Sequence, residues 1–120
     1  MIKANSILTV IDNSGARVAK CLKVLKYHRG CAGALLVIDL KKVSPDKKLT
    51  KGMVTFGLLA SLRYKTKRKT GIYISSDRNG VILVKKKEQE AAANRIFFPI
   101  YNELRYVGFS KIVSIAANIY

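Results

Sequence analysis

The sequence is poor in acidic residues, cysteine and histidine, and it contains no tryptophan. Two cysteines are too few for a disulfide framework and lack the paired spacing of a zinc site, and the single histidine has no cluster of ligands around it. The seven Asp and Glu residues are dispersed along the chain rather than grouped as metal-assisted catalysis requires. These shortages predict no catalytic residue, no metal and no cofactor.

Long hydrophobic runs are lacking as well. The longest, residues 32–38, ends at Asp39 and is far shorter than the roughly 18–20 apolar residues of a membrane span. The N-terminus, Met1-Ile2-Lys3-Ala4-Asn5, has neither the apolar core of a signal peptide nor an Arg- and Ser-rich transit segment. We expect no membrane partner, and a protein that acts where it is made unless the chain is already mature.

Positive charge is what the chain has in excess. Its 23 Lys and Arg residues give a formal net charge of +16, and ten of them lie between residues 41 and 69 beside a single acid, Asp46. A solvated face is the simplest alternative, but such a face normally interleaves both signs. The concentration instead predicts a polyanionic partner whose binding displaces counterions, and nucleic acid is the one that we expect.

Alternating apolar residues over the first two thirds of the chain indicate strands. The predicted strands are residues 7–11, 17–25, 34–43, 53–62 and 81–84. The dense basic run 63–71 is flanked by apolar runs and predicts a hairpin with arms at 64–69 and 72–75. Asp12-Asn13-Ser14-Gly15 favours a tight turn, and no base accompanies these residues that would make them catalytic.

The pattern changes after residue 88. Pro99 suits the first turn of a helix, and Ile100, Leu104 and Val107 recur at near-helical spacing. Ser110 is a candidate cap for a second short helix with an apolar side at residues 112–116. We therefore predict one domain over residues 1–120, consisting of a small closed β-barrel at about 1–87 and a helical region at about 94–120.

Three stretches of the sequence are specific enough to compare with a known protein family. The first is Ile11-Asp12-Asn13-Ser14-Gly15-Ala16-Arg17 with Cys21-Leu22-Lys23-Val24-Leu25. The second is Lys51-Gly52-Met53-Val54, which leads into Gly57-Leu58-Leu59 and the basic hairpin and then Asp77, Asn79 and Ile82-Leu83. The third is Asn94-Arg95-Ile96-Phe97-Phe98-Pro99-Ile100 with Glu103-Leu104-Arg105 and Phe109-Ser110-Lys111-Ile112-Val113-Ser114-Ile115-Ala116. In this order and spacing, they closely resemble the universal large-subunit ribosomal proteins of the L-fourteen family, bacterial type.

The resemblance implies a mainly β fold, with a closed five-stranded β-barrel, a projecting basic β-ribbon and two short C-terminal α-helices. It implies a place on the interface side of the large subunit, bound to large-subunit rRNA. Neighbouring large-subunit proteins, and small-subunit rRNA across an intersubunit bridge, are further implied partners. In bacteria and organelles, the same outer surface of the family docks a ribosome silencing factor that blocks subunit joining.

The candidate RNA contacts are cations of the hairpin and the strands: Arg17, Lys23, Arg29, Lys51, Arg63, Lys65, Lys67, Arg68 and Lys69. Arginine binds phosphate in a bidentate manner, and lysine acts as a point charge. Tyr64 either stacks on an unpaired base or packs against the opposite strand. Arg95, Arg105 and Lys111 fall in the predicted helical region, where we expect protein or intersubunit contacts, with large-subunit rRNA as the alternative.

The chain departs from the family pattern at several positions. Thr70 stands where an acidic residue or Asn is usual, Ser76 replaces an aromatic residue, and Phe98 replaces the glycine before Pro99. The segment from Ala34 lacks the usual Gly-Asp start of its strand. These departures, the abundance of Ile, Lys, Asn and Tyr, and the lack of an import signal favour an organelle-encoded protein of a mitochondrial ribosome over a bacterial cytoplasmic or plastid one.

Two other classes of function compete with a structural ribosomal role. A free single-stranded nucleic-acid-binding barrel would need several aromatic residues on one face, whereas the six tyrosines and four phenylalanines are scattered. An enzyme acting on nucleic acid would need clustered carboxylates. Sedimentation separates the ribosomal class from the other two, because only a ribosomal protein travels with large subunits.

Overall fold

The computed structural model describes residues 2–26, 33–45, 49–85, 90–91, 95–106, 110–116 and 119. The strands in these ranges are β1 Ile7–Val10, β2 Ala16–Lys26, β3 Leu35–Val43, β4 Val54–Ser61, β5 Thr66–Lys67, β6 Tyr73–Ile74, β7 Gly80–Lys85 and β8 Glu90–Ala91. The helices are α1 Glu103–Tyr106 and α2 Ser110–Ser114. Among the described residues, no helix has the length and apolar character needed to span a bilayer.

Five of the strands close into a barrel. β1, β2, β3, β4 and β7 are hydrogen-bonded neighbours in that order, and each is antiparallel to the next. A parallel pairing of β1 with β7, with Thr9 opposite Gly80 and Val10 opposite Val81, joins the two ends of the sheet. The predicted closed five-stranded barrel with two short helices near the C-terminus is therefore confirmed. β8, which pairs with the end of β7, is an addition that the sequence pattern did not predict.

Two hydrophobic cores hold the molecule together. One fills the barrel and includes Leu8, Ala19, Ile38, Leu59 and Leu83. The second lies between the outside of the barrel and the C-terminal region, and its buried members are Ile11, Leu35, Leu58, Ala60, Ile82, Val84, Ile96, Ile100, Leu104, Ile112 and Val113. Cys21 belongs to the first core, as the alternating pattern of β2 predicts, and burial raises the pKa of its thiol.

The strands β4 and β7 contribute to both cores because successive side chains of a strand point to opposite faces. Leu59 and Val81 point into the barrel, while Leu58 and Ile82 point to the C-terminal helices. A strand that is buried on both faces needs apolar residues without alternation. The continuous runs of residues 57–60 and 81–84 meet that need.

The segment before α1 pairs with strands instead of continuing a helix. Ile96 is bridged on one side to Asp12 and on the other to Ala116, and Ile100 is bridged to Ile119. Helix α1 consequently begins at Glu103, so the prediction that Pro99 lies in its first turn is wrong. The second helix lies where the pattern predicts it, with Ile112 and Val113 buried. Val107 lies outside the described residues.

Candidate nucleic-acid interface

The basic run forms a short ribbon between β4 and β7, and the term ribbon is used below for residues 63–76. β5 and β6 pair antiparallel, with Thr66 opposite Ile74 and Lys67 opposite Tyr73. At the tip, the Gly71 N–H donates to the Arg68 carbonyl at 2.9 Å, and the Arg68 N–H donates to the Ile72 carbonyl at 2.9 Å. Such a three-residue loop places its last residue at positive φ, which Gly71 adopts at +87°. The hairpin predicted around Thr70 and Gly71 is confirmed, with shorter strands than expected.

The stem of the ribbon is fastened to the body by hydrogen bonds. The carbonyl of Leu62 accepts from the Ser76 N–H at 2.8 Å and from the Tyr101 hydroxyl at 2.9 Å. Tyr101 is buried, and desolvation raises the pKa of its hydroxyl, which favours the neutral donor. The Arg63 N–H donates to the Asn79 side-chain carbonyl at 2.9 Å. These contacts fix where the ribbon leaves the barrel.

The two faces of the ribbon have different surroundings. Arg68 is half-buried, and its guanidinium meets the Glu103 carboxylate of α1, with Nε 2.7 Å from Oε1 and Nη2 3.3 Å from Oε2. Lys67 and Tyr73 lie opposite each other, one residue out of phase with Arg68, and both are exposed. Because side chains alternate along a strand, Arg68 and Tyr73 belong to opposite faces of the ribbon. One face is therefore tied to α1 at Arg68, and the face with Lys67 and Tyr73 is exposed.

Most of the predicted RNA-contacting residues of the ribbon are exposed. They are Arg63, Tyr64, Lys65, Lys67 and Lys69. Between residues 63 and 76 there are five cations and no acid, so no acidic neighbour in the run offsets their charge. Arg68 differs from the others because its charge is already paired with Glu103.

The other predicted RNA contacts lie on the barrel. Arg17 and Lys23 are exposed on β2, and Lys51 is exposed in the turn before β4. Lys51 precedes the eight residues of β4 and the ribbon follows them, so about 25 Å of strand separates the two. The structure does not bring Lys51 and the ribbon together. Arg29 lies outside the described residues.

The C-terminal candidates are exposed at three separate places in the C-terminal segment. Arg105 is exposed on α1 and Lys111 on α2, in keeping with the sequence prediction of helical positions. The prediction of a helical position for Arg95 is wrong. Its N–H donates to the Asn13 side-chain carbonyl at 3.2 Å and its carbonyl accepts from the Asn13 N–H at 3.2 Å, so it extends beside the β1–β2 turn. Asn13 in that turn binds the Arg95 backbone, and this pairing replaces the hydrogen bonds of a helix.

The β1–β2 turn has a structural role that accounts for its polar residues. Asp12 is buried, and its Oδ1 accepts from the Ser14 N–H at 3.1 Å and from the Ser14 hydroxyl. Its Oδ2 accepts from the Leu83 N–H at 3.0 Å, which ties the turn to β7. Burial raises the pKa of Asp12, and these hydrogen bonds oppose the rise. Both carboxylate oxygens are thus engaged within the fold, as a turn predicts.

Sequence reasoning missed three exposed apolar side chains beside the cations. Tyr73 and Ile72 on the ribbon are 61% and 65% exposed, and Phe97, two residues after Arg95, is 66% exposed. The sequence did contain a signal for Ile72 and Tyr73, because an apolar residue beside a basic run is a candidate for stacking. The sequence prediction of base stacking considered Tyr64 alone. Which face each residue occupies depends on the register of the hairpin, and that register was not fixed by the pattern.

Of the departures from the family pattern, the one at Ala34 lies before β3, and those at Thr70, Ser76 and Phe98 lie in the ribbon or near its stem. Thr70 is exposed at the tip. Phe98 packs against the second core, and its ring lies 5.2 Å from the Arg78 guanidinium, within the range of a cation–π contact. Arg78 lies between the ribbon and β7. The residue that replaces glycine before Pro99 therefore joins the C-terminal segment to the stem of the ribbon.

No group of His, Cys, Asp or Glu within the described residues has the arrangement of a metal site. The remaining features are a barrel, a cationic ribbon and exposed cations in the C-terminal segment. The family model described as Ribosomal protein L14p/L23e matches residues 1–120, which is the whole chain. The chain therefore belongs to this family of ribosomal proteins and is a structural component of the large ribosomal subunit.

Proposed function

We propose that the protein binds large-subunit rRNA mainly through its ribbon and so helps to build the large subunit near its interface side. The observation that carries this proposal is the run of five cations without an acid between residues 63 and 76. Four of these cations are exposed and only Arg68 has an acidic partner in the described structure. Arg17, Lys23 and Lys51 extend the contact onto the barrel, and Arg29 belongs to the same proposed set.

Phosphate neutralisation supplies the physical basis of this binding. Each cation that contacts a phosphate releases condensed counterions, and the affinity then falls steeply as salt rises. A closed barrel suits the role because its backbone hydrogen bonds are satisfied internally. The ribbon's short strands have no buried core of their own, so its side chains are available to a partner. A free single-strand-binding barrel remains the alternative function.

The salt dependence of binding tests the ribbon. We expect the wild-type protein to make roughly six to ten phosphate contacts with structured large-subunit rRNA. A plot of the logarithm of the binding constant against the logarithm of salt concentration should then have a slope of about −5 to −9. Lys65→Ser, Lys67→Ser and Lys69→Ser together should make the slope shallower by about 2–3. The matched control replaces Lys3, Lys20 and Lys42 of the barrel by Ser and removes the same charge. Equal losses in both variants would show that the ribbon has no special part in binding.

Incorporation into subunits distinguishes the ribosomal role from a free binding module. A tagged wild-type protein should sediment with large subunits, and the ribbon variant should be depleted from them relative to the barrel control. Sedimentation of the wild-type protein entirely apart from subunits would support the free barrel instead.

The C-terminal surface is proposed to act after assembly. Arg95, Arg105, Lys111 and the exposed ring of Phe97 suit a contact with small-subunit rRNA in an intersubunit bridge, a neighbouring protein or a silencing factor. Charges at the rim of an interface mainly set encounter rate and partner choice. Arg95→Glu with Lys111→Glu should leave the protein on free large subunits and lower the fraction of joined ribosomes. Loss from free large subunits would show instead that both residues bind large-subunit rRNA.

We further propose that residues 1–120 are one domain, because β4 and β7 belong to the barrel core and to the helix-facing core alike. The proposed compartment is the mitochondrial ribosome, with an organelle-encoded gene. The composition and the family departures at Thr70, Ser76 and Phe98 support this proposal. Mapping the gene to the organelle or the nuclear genome tests it.

A further inference from the structure

We propose that Tyr73 stacks on an unpaired base, so that the outward face of the ribbon selects RNA with a loop or bulge over continuous duplex. This inference rests on the RNA binding proposed above and adds to it the class of RNA that is recognised. It differs from a general electrostatic contact because it assigns the selectivity to one aromatic ring. The ring had no role in the sequence prediction, which considered Tyr64 alone.

The first observation is the exposure of the ring. Tyr73 is 61% exposed on a strand of two residues. Among the described residues, none makes a ring contact with Tyr73, and the hydroxyl has no hydrogen-bond partner there. A planar ring of this size that the fold leaves uncovered provides a free surface on which a base can stack.

The second observation is the cation beside the ring. Lys67 lies directly opposite Tyr73 in the register and is exposed. Side chains that are directly opposite on paired strands lie on the same face, with Cβ atoms about 4.5–5.5 Å apart. A nucleotide whose base stacks on the ring therefore brings its phosphate within reach of the lysine. The ring of Tyr73 can thus contact the base of a nucleotide while Lys67 contacts its phosphate.

The third observation is that the opposite face is held in place. Arg68 contacts Glu103 of α1 through two nitrogen–oxygen pairs, and Ile74 is half-buried. These contacts determine which side of the ribbon turns to the body of the protein. The strand that carries Tyr73 consequently has a preferred side toward solvent, which lowers the entropy cost of stacking. Arg68 acts here as a positioning residue rather than a phosphate ligand.

The chemistry of the face favours RNA over a protein partner. Lys65, Lys67 and Lys69 accompany the ring, and the ribbon contains no acid. In a continuous A-form duplex, the base faces are covered by their neighbours and the deep groove is closed to side chains. An unpaired base in a loop or bulge offers a free face next to a dense phosphate backbone. Such a base is therefore the ligand that fits both the ring and the lysines.

Binding to two RNAs with equal numbers of phosphates tests the proposal. One is a hairpin with an unpaired loop, and the other is a blunt duplex. Tyr73→Leu keeps an apolar side chain but removes the planar face, so its affinity for the hairpin should fall about tenfold while its affinity for the duplex is unchanged. Tyr73→Phe should behave as wild type. Lys67→Ser should weaken both RNAs and make both salt slopes shallower by about 0.7–0.9.

The outcomes separate the two proposals. Base stacking would be overturned if Tyr73→Leu bound each RNA with the same affinity as wild type does. It would also be overturned if the substitution lowered the affinity for the hairpin and the duplex by the same factor. Either result leaves the electrostatic function intact. Failure of the wild-type protein to bind either RNA would overturn the RNA-binding function and the stacking with it. Tyr73 lies outside both cores, and thermal unfolding followed by circular dichroism should confirm that all three variants remain folded.

Discussion

Strands β4 and β7 form one wall of the barrel, and the ribbon joins them. The wall is apolar and buried, whereas the ribbon is charged and exposed. From residue 54 to residue 62 the wall has no charged side chain, and Leu58, Leu59 and Ile82 are completely buried. From residue 63 to residue 71 the ribbon has five cations, and Tyr73 beyond its turn is mostly exposed. The change occurs within two residues of the end of β4.

If the ribbon binds RNA as proposed, folding and binding are divided between the two regions. The wall is covered by the barrel core on one side and by the C-terminal helices on the other, so its sequence is restricted by packing. The ribbon is attached at its stem and by Arg68, so packing places little restriction on its exposed positions. Substitutions should therefore affect stability in the wall and RNA binding in the ribbon.

Removing apolar volume should give the largest difference between the two regions. Leu58→Ala opens a cavity in the wall and should lower the free energy of unfolding by about 2–5 kcal/mol. Ile72→Ala removes a similar side chain from the exposed ribbon and should change it by less than about 0.5 kcal/mol. Urea unfolding followed by circular dichroism measures both. A comparable loss for Ile72→Ala would mean that the ribbon is part of the folding core.

Breaking the contact between the ribbon and α1 should have a smaller effect. The side chains of Arg68 and Glu103 are 28% and 34% exposed, so solvent weakens their attraction. A double-mutant cycle with Arg68→Gln and Glu103→Gln should give a coupling of about 0.5 kcal/mol that decreases as salt rises. Because the charge of Arg68 is already paired, Arg68→Gln should change the slope of RNA binding with salt less than Lys67→Gln does. An equal change would identify Arg68 as a phosphate ligand.

The smallest predicted effect is a pH dependence of folding stability that arises from Asp12, which is hydrogen-bonded to β7 of the wall. Burial raises the pKa of this carboxyl above its ordinary value of 3.8, so the folded chain holds the proton at higher pH than the unfolded chain. Stability should therefore decrease as pH rises from about 3.8 through the raised pKa. Asp12→Asn cannot ionise and should lack this component. If the Tm difference between variant and wild type stays constant across that window, the hydrogen bonds from Ser14 and Leu83 fully offset burial, and the prediction is wrong.

The strands of the barrel were predictable because burial leaves a strong pattern in the sequence. Runs such as residues 81–84 are apolar without interruption, and the turn at Asp12 and Ser14 uses side chains that bond to their own backbone. The C-terminal segment was harder to predict. Near-helical spacing of apolar residues suggested a helix from Pro99, but bridges from Ile96 and Ile100 to other segments hold that stretch extended.

The candidate site was predictable in composition and not in arrangement. The cation run identified the ribbon, yet the partner of Arg68 lies 35 residues further along the chain, in α1. The exposure of Tyr73 follows from the hairpin register and from the contact that turns the other face inward. Neither property appears in local sequence, because both depend on contacts between distant segments.

The parallel pairing of β1 with β7 has a consequence for synthesis. The hydrogen bond from the Leu83 N–H to Asp12, which accompanies this pairing, joins residues 71 positions apart. During translation, the first four strands are synthesised before their closing partner, so the outer edge of β1 stays unpaired until β7 emerges. Closing so long a loop is slow, and an unpaired edge invites association with other chains. The nascent protein therefore needs protection until β7 emerges, and a delay in translation before residue 80 should increase its aggregation.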